Sequence, residues 1–361
     1  MPKAYVLTGP RTMEQRDYTL APLGPRDVRL ESVVSGISHG TELNLWRGTA
    51  PFEEKTFHRE RRLFLPKTEA EREADPAPAS APRGRRLGYE LVSRVAEVGA
   101  EVHEVAVGDL VHSATAHQPE TIINLDANAR AEIPMQRLPE GVSPEEAVFS
   151  ALVGVALAAS HDAAIKVGDH VAVFGLGAIG LIAVQLARLS GALRVTAIDP
   201  LPKRREAALA LGADVVLDPT AEDPAVRLKV QEPGGGPDVV IEASGTYPAL
   251  QSALRTAHMA GTVVTLGYYQ GGAAPLFLGE EWHHNRLTMI SSMAVWDCPS
   301  RFYPMWDRPR ISRTALDLLA RGLVRVGDLV THRIPYARAP EAYRLIDEHP
   351  GETIKVVLTY P

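Results

Sequence analysis

The sequence contains a single cysteine, Cys298, among its 361 residues. One cysteine cannot form an internal disulfide, nor can it supply a four-cysteine zinc lobe. A chain so poor in cysteine fits a reducing compartment. The first residues, MPKAYVLTGP, also lack the basic segment and the long apolar run of a signal peptide. We therefore expect a cytoplasmic protein.

No charge of one sign dominates the chain, because 38 lysines and arginines stand against 44 aspartates and glutamates. The chain-wide basic field that would hold nucleic acid or an anionic membrane is therefore missing. Apolar stretches long enough to span a bilayer are missing as well. We expect no nucleic-acid and no membrane partner. With 45% hydrophobic residues, the chain is nevertheless long enough to bury two cores.

The hydrophobic pattern divides the chain into two kinds of unit. In residues 27–34 and 93–98, apolar and polar residues alternate, as is typical of half-buried strands. After about Ser150, short apolar strands alternate with helices. This order predicts an α/β protein. We assign residues 1–150 and 305–361 to a β-rich, barrel-like domain and residues 151–304 to a doubly wound parallel-sheet domain. The charged, Pro-rich stretch 53–86 is predicted to be an inserted surface loop, partly helical at most.

A glycine-rich turn provides the sharpest motif of the sequence. It reads Gly175-Leu176-Gly177-Ala178-Ile179-Gly180 and stands between a predicted strand and a predicted helix. In this context the first glycine permits a tight turn, the second lets the backbone approach a pyrophosphate, and the third allows close packing of helix and sheet. The amino terminus of the helix then stabilises the phosphate charge. We predict a dinucleotide site that includes Ala178 and Ile179.

Asp199 stands at the end of the next predicted strand, 19 positions after Gly180. A carboxylate there accepts hydrogen bonds from the adenosine ribose hydroxyls and repels a 2′-phosphate. NAD is therefore favoured over NADP, although Lys203 and Arg204 lie close in sequence. Gly267 and Tyr268 follow a later strand, at the edge of the sheet where the nicotinamide is expected.

Several segments together resemble the medium-chain dehydrogenase/reductase superfamily, the alcohol-dehydrogenase-like enzymes with a GroES-like catalytic domain and a Rossmann cofactor domain. The resemblance covers nearly the whole chain apart from the insert. It rests on Gly36-Ile37-Ser38-His39-Gly40-Thr41-Glu42, Gly88-Tyr89-Glu90 followed by Val95-Ala96-Glu97-Val98-Gly99, Val107-Gly108-Asp109, the glycine-rich turn, Asp199, Leu211-Gly212-Ala213-Asp214, and Thr331-His332-Arg333-Ile334-Pro335 with Ala342-Tyr343.

The resemblance also shows where the zinc ligands of this superfamily are missing. His39 stands at the position of the ligand cysteine, and Tyr89 replaces the histidine of the Gly-His-Glu motif. The segment after Glu146 offers no third ligand, and no cysteine follows Val107-Gly108-Asp109. The sequence is thus similar to the zinc-lacking branch that includes bacteriochlorophyllide hydroxyethyl dehydrogenases and some sugar or secondary-alcohol dehydrogenases. We expect no zinc. The alternative is a rebuilt metal site from His39 and Glu90 with His112 or His117.

Without a metal, hydrogen-bond donors must stabilise the negative charge on the substrate oxygen. The resemblance assigns Thr41 to the first contact with that oxygen. Tyr89 is a second donor or an acid/base, provided that a cation lowers its pKa, and His39 exchanges protons near neutral pH without such a shift. Glu42 and Glu90 are expected to orient these groups. The alternative for each is a purely structural role in the turn or the core.

The sequence therefore predicts an NAD-dependent, zinc-independent dehydrogenase that interconverts a secondary alcohol and a ketone. Two alternatives stay open, a zinc-free reductase of enones or quinones and a catalytically inactive NAD(H)-binding sensor. Aromatic residues expected near the pocket are Trp46, Phe52, Tyr268 and Trp296. By resemblance, a homodimer is expected to form through the cofactor domain, along the apolar run that begins at Leu287.

Overall fold

The computed structural model describes residues 1–73, 84–131, 133–293, 298, 300, 301 and 303–361. These residues form two compact units, one made of Met1–Ser150 and Val330–Pro361 and the other of Ala151–Leu329. Residues 305–329 were predicted to belong to the first unit, and this prediction is wrong. The side chain of Gln185 donates a hydrogen bond to the Arg325 carbonyl (3.0 Å) and accepts one from its amide (2.8 Å), which ties this segment to the second unit.

The first part of the chain is built from short strands with short helices between them. The elements are β1 (Lys3–Gly9), β2 (Thr12–Asp17), β3 (Asp27–Gly36), α1 (Thr41–Arg47), β4 (Lys55–His58), β5 (Leu63–Pro66), α2 (Glu69–Glu73), β6 (Leu91–Val98), β7 (Leu110–Ser113), β8 (Glu120–Asn124), α3 (Leu125–Asn128), β9 (Gln136–Arg137) and α4 (Pro144–Ala147).

Longer helices alternate with strands in the second unit, and the chain then returns to the first. The elements are α5 (Ser150–Ala163), β10 (His170–Phe174), α6 (Ala178–Leu189), β11 (Arg194–Ile198), α7 (Pro202–Ala210), β12 (Val215–Leu217), α8 (Pro224–Lys229), β13 (Val239–Glu242), α9 (Tyr247–Thr256), β14 (Thr262–Thr265), α10 (Glu281–His284), β15 (Thr288–Ser291), α11 (Arg308–Ala320), β16 (Val330–Pro335), α12 (Ala339–Glu348) and β17 (Lys355–Thr359). Short 3-10 helices span Pro51–Glu53, Gly327–Leu329 and Tyr336–Arg338.

A mixed sheet with the order β16-β17-β3-β6-β7-β9 organises the first unit, and β8 also pairs with β3. All its pairings are antiparallel except that of β16 with β17. One face of β3 carries Val28 and Leu30, which are fully buried together with Val95 and Val111. The last strand, β17, thus lies beside β3, so residues from both ends of the chain meet in this sheet.

The insert was predicted to be a loop that is partly helical at most, but the structure shows two strands in it. Strands β4 and β5 form an antiparallel hairpin in which Phe57 pairs with Phe64. Their ring centroids lie 4.9 Å apart, and the ring of Phe52 lies 5.6 Å from that of Phe64. Aromatic residues favour strands by such cross-strand contacts, which the many charges around them obscured in the sequence. Residues 74–83 of the insert lie outside the described residues.

A six-stranded sheet with the order β12-β11-β10-β13-β14-β15 forms the centre of the second unit. Every neighbouring pair is parallel. Residues Val171–Phe174 of β10 are at most 2% exposed, as expected for a central strand covered by helices on both faces. The doubly wound order confirms the predicted fold class. Within the described residues, no helix combines the length and the apolar character needed to cross a membrane.

Candidate active site

A buried carboxylate, that of Glu42 in the first turn of α1, contacts the turn before this helix. Glu42 is 1% exposed, and its Oε1 accepts a hydrogen bond from the Ser38 amide at 2.8 Å. Burial opposes the ionisation of this carboxyl, but the charge and hydrogen bond of His117, together with the Tyr343 hydroxyl, hold its pKa below the usual range. Glu42 is therefore a fixed anion whose oxygens are all engaged. The orienting role expected for Glu42 stays a prediction.

His117 connects that carboxylate to the middle of the sheet. Its Nε2 lies 2.9 Å from Glu42 Oε2, and its Nδ1 lies 2.8 Å from Ser35 Oγ. The Ser35 hydroxyl in turn lies 3.0 Å from the Tyr360 hydroxyl. Each ring nitrogen of this buried imidazole therefore has a partner, so the polar chain is fully satisfied.

Tyr89 lies against the same turn. Its hydroxyl donates a hydrogen bond of 2.7 Å to Ser38 Oγ. Burial and the charge of Glu90 raise the pKa of Tyr89 above its ordinary value, while the hydrogen bonds to Ser38 and Thr41 oppose this shift. The structure thus supplies no cation effect strong enough to make Tyr89 a base near neutral pH. Its hydroxyl is a hydrogen-bond donor to Ser38, and its role toward a substrate stays a prediction.

Glu90 forms a buried ion pair with Lys355, and the two side chains are 0% and 1% exposed. Lys355 Nζ also donates to the Ile37 carbonyl at 2.9 Å. Burial raises the pKa of Glu90 to about 7 against the opposing influence of Lys355. A Cβ at Gly36 would lie 2.5 Å from Glu90 Oε2, so only glycine leaves room for this pair. Glu90 therefore anchors the segment that carries Tyr89.

Two of the predicted catalytic residues are open to solvent. Thr41 is exposed as the first residue of α1, and His39 is partly exposed in the turn before it. The structure brings Thr41 together with Tyr89 and places Glu42 and Glu90 beneath them. Each predicted catalytic residue thus belongs to one region of the first unit.

Four further residues of this region were not singled out in the sequence as part of the catalytic group. They are Ser38, His117, Tyr343 and Lys355. Ser38 lies inside the quoted motif and could have been found there. Tyr343 and Lys355 reach the site only through contacts with residues about 300 positions earlier, which a single sequence does not reveal.

Two carboxylates of this region already have protein partners. Glu42 binds His117 and the Ser38 amide, and Glu90 binds Lys355. His112, the other predicted alternative ligand, is 1% exposed, and burial lowers its pKa to about 4. Across the part of the chain that the structure describes, no three His, Cys, Asp or Glu side chains are grouped as metal ligands. The partners of Glu42 and Glu90 count against a catalytic zinc in this region, and its absence stays a prediction.

The predicted dinucleotide site lies at the carboxyl edge of the parallel sheet in the second unit. Gly175 has a φ of +83°, and a Cβ there would lie 2.5 Å from the Ser244 amide nitrogen. At Gly180 a Cβ would lie 1.8 Å from the Gly175 carbonyl oxygen, whereas a Cβ at Gly177 would meet no atom within 4 Å. Two glycines are thus required by the fold, and the third leaves open space in front of α6, which begins at Ala178 and Ile179. This is the cradle that a pyrophosphate needs.

Asp199 lies directly beside this turn. Its Oδ2 accepts a hydrogen bond from the Leu176 amide at 2.8 Å, and its Oδ1 accepts one from the Leu201 amide at 2.8 Å. Arg204 Nη1 lies 3.8 Å from Asp199 Oδ2, while Lys203 is exposed. The carboxylate is therefore held at the position expected for ribose recognition, with Arg204 as its nearest cation.

The remaining predicted cofactor residues, Gly267 and Tyr268, lie next to the loop after β13. A Cβ at Gly267 would lie 2.2 Å from the Gly245 amide nitrogen, so the loops after β13 and β14 touch. Tyr268 is 39% exposed there. Ser244 and Gly245 were missed in the sequence, although their position after a strand of the parallel sheet was a usable signal.

The remaining aromatic expectations have different outcomes. Trp46 is 1% exposed and stacks on Tyr343 with a centroid distance of 6.0 Å, so it is a core residue beside the candidate site, and its place near the pocket stays a prediction. Phe52 belongs to the hairpin cluster. Trp296 lies outside the described residues.

Residues 178–308 match the family described as zinc-binding dehydrogenase. Over 364 aligned residues the chain is 34% identical to the D-guloside 3-dehydrogenase of Escherichia coli strain K12, with 99% of this chain and 100% of that protein covered.

Two solved structures have a similar fold. A protein of Sinorhizobium meliloti 1021 described as a zinc-binding dehydrogenase, bound to NADP, is 23% identical with a TM-score of 0.75, and 99% of each chain is covered. The acetophenone reductase of Geotrichum candidum, in complex with NAD, is 19% identical with a TM-score of 0.72, over 99% of this chain and 97% of that one.

Proposed function

Because this chain belongs to the medium-chain dehydrogenase/reductase superfamily of alcohol-dehydrogenase-like enzymes, we propose that it oxidises a secondary alcohol to a ketone with NAD and without catalytic zinc. As a member it is an oxidoreductase that acts on CH-OH groups. The observation that carries the metal-free part is the Tyr89–Ser38 hydrogen bond, which joins two hydroxyls next to carboxylates that are already engaged. This group offers donors in place of a Lewis acid.

Thr41 donates a hydrogen bond to the substrate oxygen in this proposal, and Tyr89 supports the group by donating its single hydroxyl proton to Ser38 Oγ. The raised pKa of Tyr89 keeps this proton in place near neutral pH, so the tyrosine does not take the proton of the substrate hydroxyl. His39 accepts the proton of the substrate hydroxyl in this proposal, because histidine is the side chain suited to proton transfer near neutral pH. Glu42 fixes the turn before α1, and Glu90 fixes the segment that carries Tyr89.

The cofactor site supports NAD through the position of Asp199. When bound, the nicotinamide supplies the acceptor for the hydride that leaves the alcohol carbon. Gly177 leaves the space for the pyrophosphate, and the amino terminus of α6 stabilises its charge. Asp199 accepts the ribose hydroxyls and disfavours a 2′-phosphate. Gly267 and Tyr268 border the nicotinamide end.

We propose a secondary hydroxyl of a sugar as the substrate. The full-length similarity to a D-guloside 3-dehydrogenase supports this class. We also propose a cytoplasmic homodimer that pairs through the edge strand β15. In the described residues β15 pairs with β14 alone, and Met289 on it is 40% exposed.

The test is NAD reduction followed at 340 nm with methyl D-guloside, 2,3-butanediol and L-threonine, beside metal analysis of the same preparation. We expect turnover of the guloside with less than a tenth of an equivalent of zinc and no loss after dialysis against a chelator. One tightly bound equivalent whose removal abolishes turnover would contradict the metal-free mechanism. Reduction of an enone without any alcohol oxidation would contradict the reaction class.

A further inference from the structure

Ser38 differs from its neighbours in having a hydroxyl proton that is not used. Its amide donates to Glu42 Oε1, its carbonyl accepts the Glu42 amide at 3.2 Å, and its Oγ accepts the Tyr89 hydroxyl. A serine hydroxyl is one donor as well as an acceptor. Among the described residues, no acceptor receives the proton of this hydroxyl. The donor is therefore available to a bound molecule.

The position of Ser38 is fixed from two sides. From below, Glu42 holds its amide, and Glu42 itself is held by His117. From the side of Tyr89, a Cβ at Gly88 would lie 2.6 Å from the His117 amide nitrogen, so the segment of Tyr89 packs directly on the segment of His117. Ser38 and Tyr89 therefore share one rigid support. A donor fixed in this way needs no reorganisation when charge develops in front of it.

Three hydroxyls meet at this point. Tyr89 has hydrogen-bonding neighbours in both Ser38 and Thr41, and Thr41 is exposed whereas Ser38 is 5% exposed. Ser38 thus lies at the buried end of the group, where a hydrogen bond to a charged oxygen is stronger than in water. Because Tyr89 donates to Ser38 Oγ, it also strengthens Ser38 as a donor.

We propose that Ser38 is a further catalytic residue, whose hydroxyl donates a hydrogen bond to the reacting oxygen of the alcohol or ketone. This inference rests on the proposed function. During oxidation the C–H hydride goes to the nicotinamide, the hydroxyl proton goes to His39, and the C–O bond becomes a carbonyl. Ser38 keeps its own proton throughout and stabilises the negative charge on the oxygen between these states.

The experiment compares Ser38→Ala, Ser38→Thr and the matched control Ser93→Ala in steady-state oxidation of methyl D-guloside by NAD over pH 6 to 9. Ser93 is a suitable control because it is a fully buried serine of the same unit whose hydroxyl has no hydrogen-bond partner among the described residues. Binding of NADH by fluorescence titration serves as a second measurement, since Ser38 and the cofactor site lie in different units.

For Ser38→Ala we expect kcat to fall roughly 100- to 1,000-fold, as for the loss of one oxyanion donor. We expect KM to change less than threefold, the dissociation constant of NADH less than twofold, and the pH dependence of kcat to remain that of His39. Ser38→Thr is expected to stay within tenfold of the wild type, and Ser93→Ala within threefold. If Ser38→Ala does not fold by circular dichroism, Ser38→Cys replaces it, with at least a tenfold loss expected.

A kcat of Ser38→Ala within threefold of Ser93→Ala would overturn the inference and leave the proposed function intact. A loss of kcat that appears only together with weaker NADH binding or a lower unfolding midpoint would also overturn it, because it would make Ser38 a structural residue. Absence of wild-type turnover with every alcohol tested would overturn the proposed function, and the role of Ser38 would fall with it.

Discussion

His117 and Glu42 form a buried hydrogen bond, with His117 Nε2 2.9 Å from Glu42 Oε2 and side chains that are 5% and 1% exposed. The two residues come from different parts of the chain, and the bond links the turn that carries Ser38 to the loop after β7. A buried carboxylate is tolerated only while its partners are present. The turn therefore depends on an imidazole that no local pattern connects to it.

Replacing His117 by leucine removes this partner and leaves Glu42 buried. We expect the free energy of unfolding to fall by about 3–5 kcal/mol, the usual cost of breaking a buried charge pair from one side. Urea unfolding followed by circular dichroism measures it. His112→Leu is the matched control, because His112 is equally buried but its Nε2 has no hydrogen-bond partner in the described residues. Equal losses for both variants at pH 7 would contradict the proposed link.

His112 itself makes stability depend on pH. Burial lowers its pKa from 6.5 to about 4, so the folded state disfavours the charged imidazole. Its contribution to stability is fully present above pH 6.5 and is lost as the pH falls toward 4. The loss amounts to about 3 kcal/mol at 1.36 kcal/mol per pKa unit. His112→Leu should abolish this part of the acid sensitivity, measured as the difference in unfolding free energy between pH 7 and pH 4.5. If the difference in unfolding free energy is the same in His112→Leu as in the wild type, this acid sensitivity does not come from His112.

The Glu90–Lys355 pair should behave as a unit. Lys355→Met leaves Glu90 without a cation, and we expect a loss of about 3–5 kcal/mol in unfolding free energy. Adding Glu90→Gln should recover a large part of it, because the amide needs no counter-charge. A double-mutant cycle in urea measures the coupling. Additive losses would show that the two residues act independently.

The Glu90 carboxyl also makes stability depend on pH, in the direction opposite to that of His112. Burial raises the pKa of Glu90 from 4.5 to about 7, so its contribution to stability is fully present below pH 4.5 and is lost as the pH rises through 7. The unfolding free energy of Glu90→Gln relative to the wild type should therefore increase between pH 5 and pH 8. A relative stability that is flat over this range would contradict the raised pKa.

The two glycines Gly177 and Gly180 should respond differently to alanine. Gly180→Ala places a Cβ against the Gly175 carbonyl oxygen, so we expect a misfolded second unit and little soluble protein. Gly177→Ala meets no atom within 4 Å, so the protein should fold with an unchanged unfolding midpoint. Its methyl group would occupy space in front of the helix, and NADH should bind at least tenfold more weakly by fluorescence titration. Unchanged NADH binding would argue against a pyrophosphate at Gly177.

Asp199→Asn tests the choice of cofactor. The amide oxygen can still accept one of the two backbone hydrogen bonds, but the negative charge next to Arg204 is gone. We expect the ratio of NADPH affinity to NADH affinity to rise at least tenfold, because the arginine can then face a 2′-phosphate. Titration of both reduced cofactors against wild type and variant measures the ratio. A ratio that does not move would show that Asp199 has no part in ribose recognition.

The parallel sheet and its glycine-rich turn were predictable because their signals are local. The glycine-rich turn stands between strand β10 and helix α6 as predicted, and the Asp199 side chain accepts a hydrogen bond from Leu176 in that turn. Both follow from short apolar runs, glycine geometry and the rule that parallel strands end at one edge.

The contacts that support the turn carrying Ser38 were not predictable in this way. The sequence placed Glu42 and Glu90 near the site, but their partners His117 and Lys355 lie 75 and 265 positions away. Lys355 also lies in a stretch whose residue pattern predicts an ordinary strand. The hairpin was missed for a different reason, since its pairing depends on Phe57 and Phe64 in a stretch dominated by charge.

The first unit is interrupted by the whole of the second, and this has a consequence for biosynthesis. A ribosome completes residues 151–329 before it makes β17, so the parallel sheet can form while the mixed sheet still lacks a strand. Until then Glu90 has no cation beside it and Ser35 lacks the Tyr360 hydroxyl. The turn that carries Ser38 therefore gains the support of Lys355 and Tyr360 only after the whole second unit has been translated.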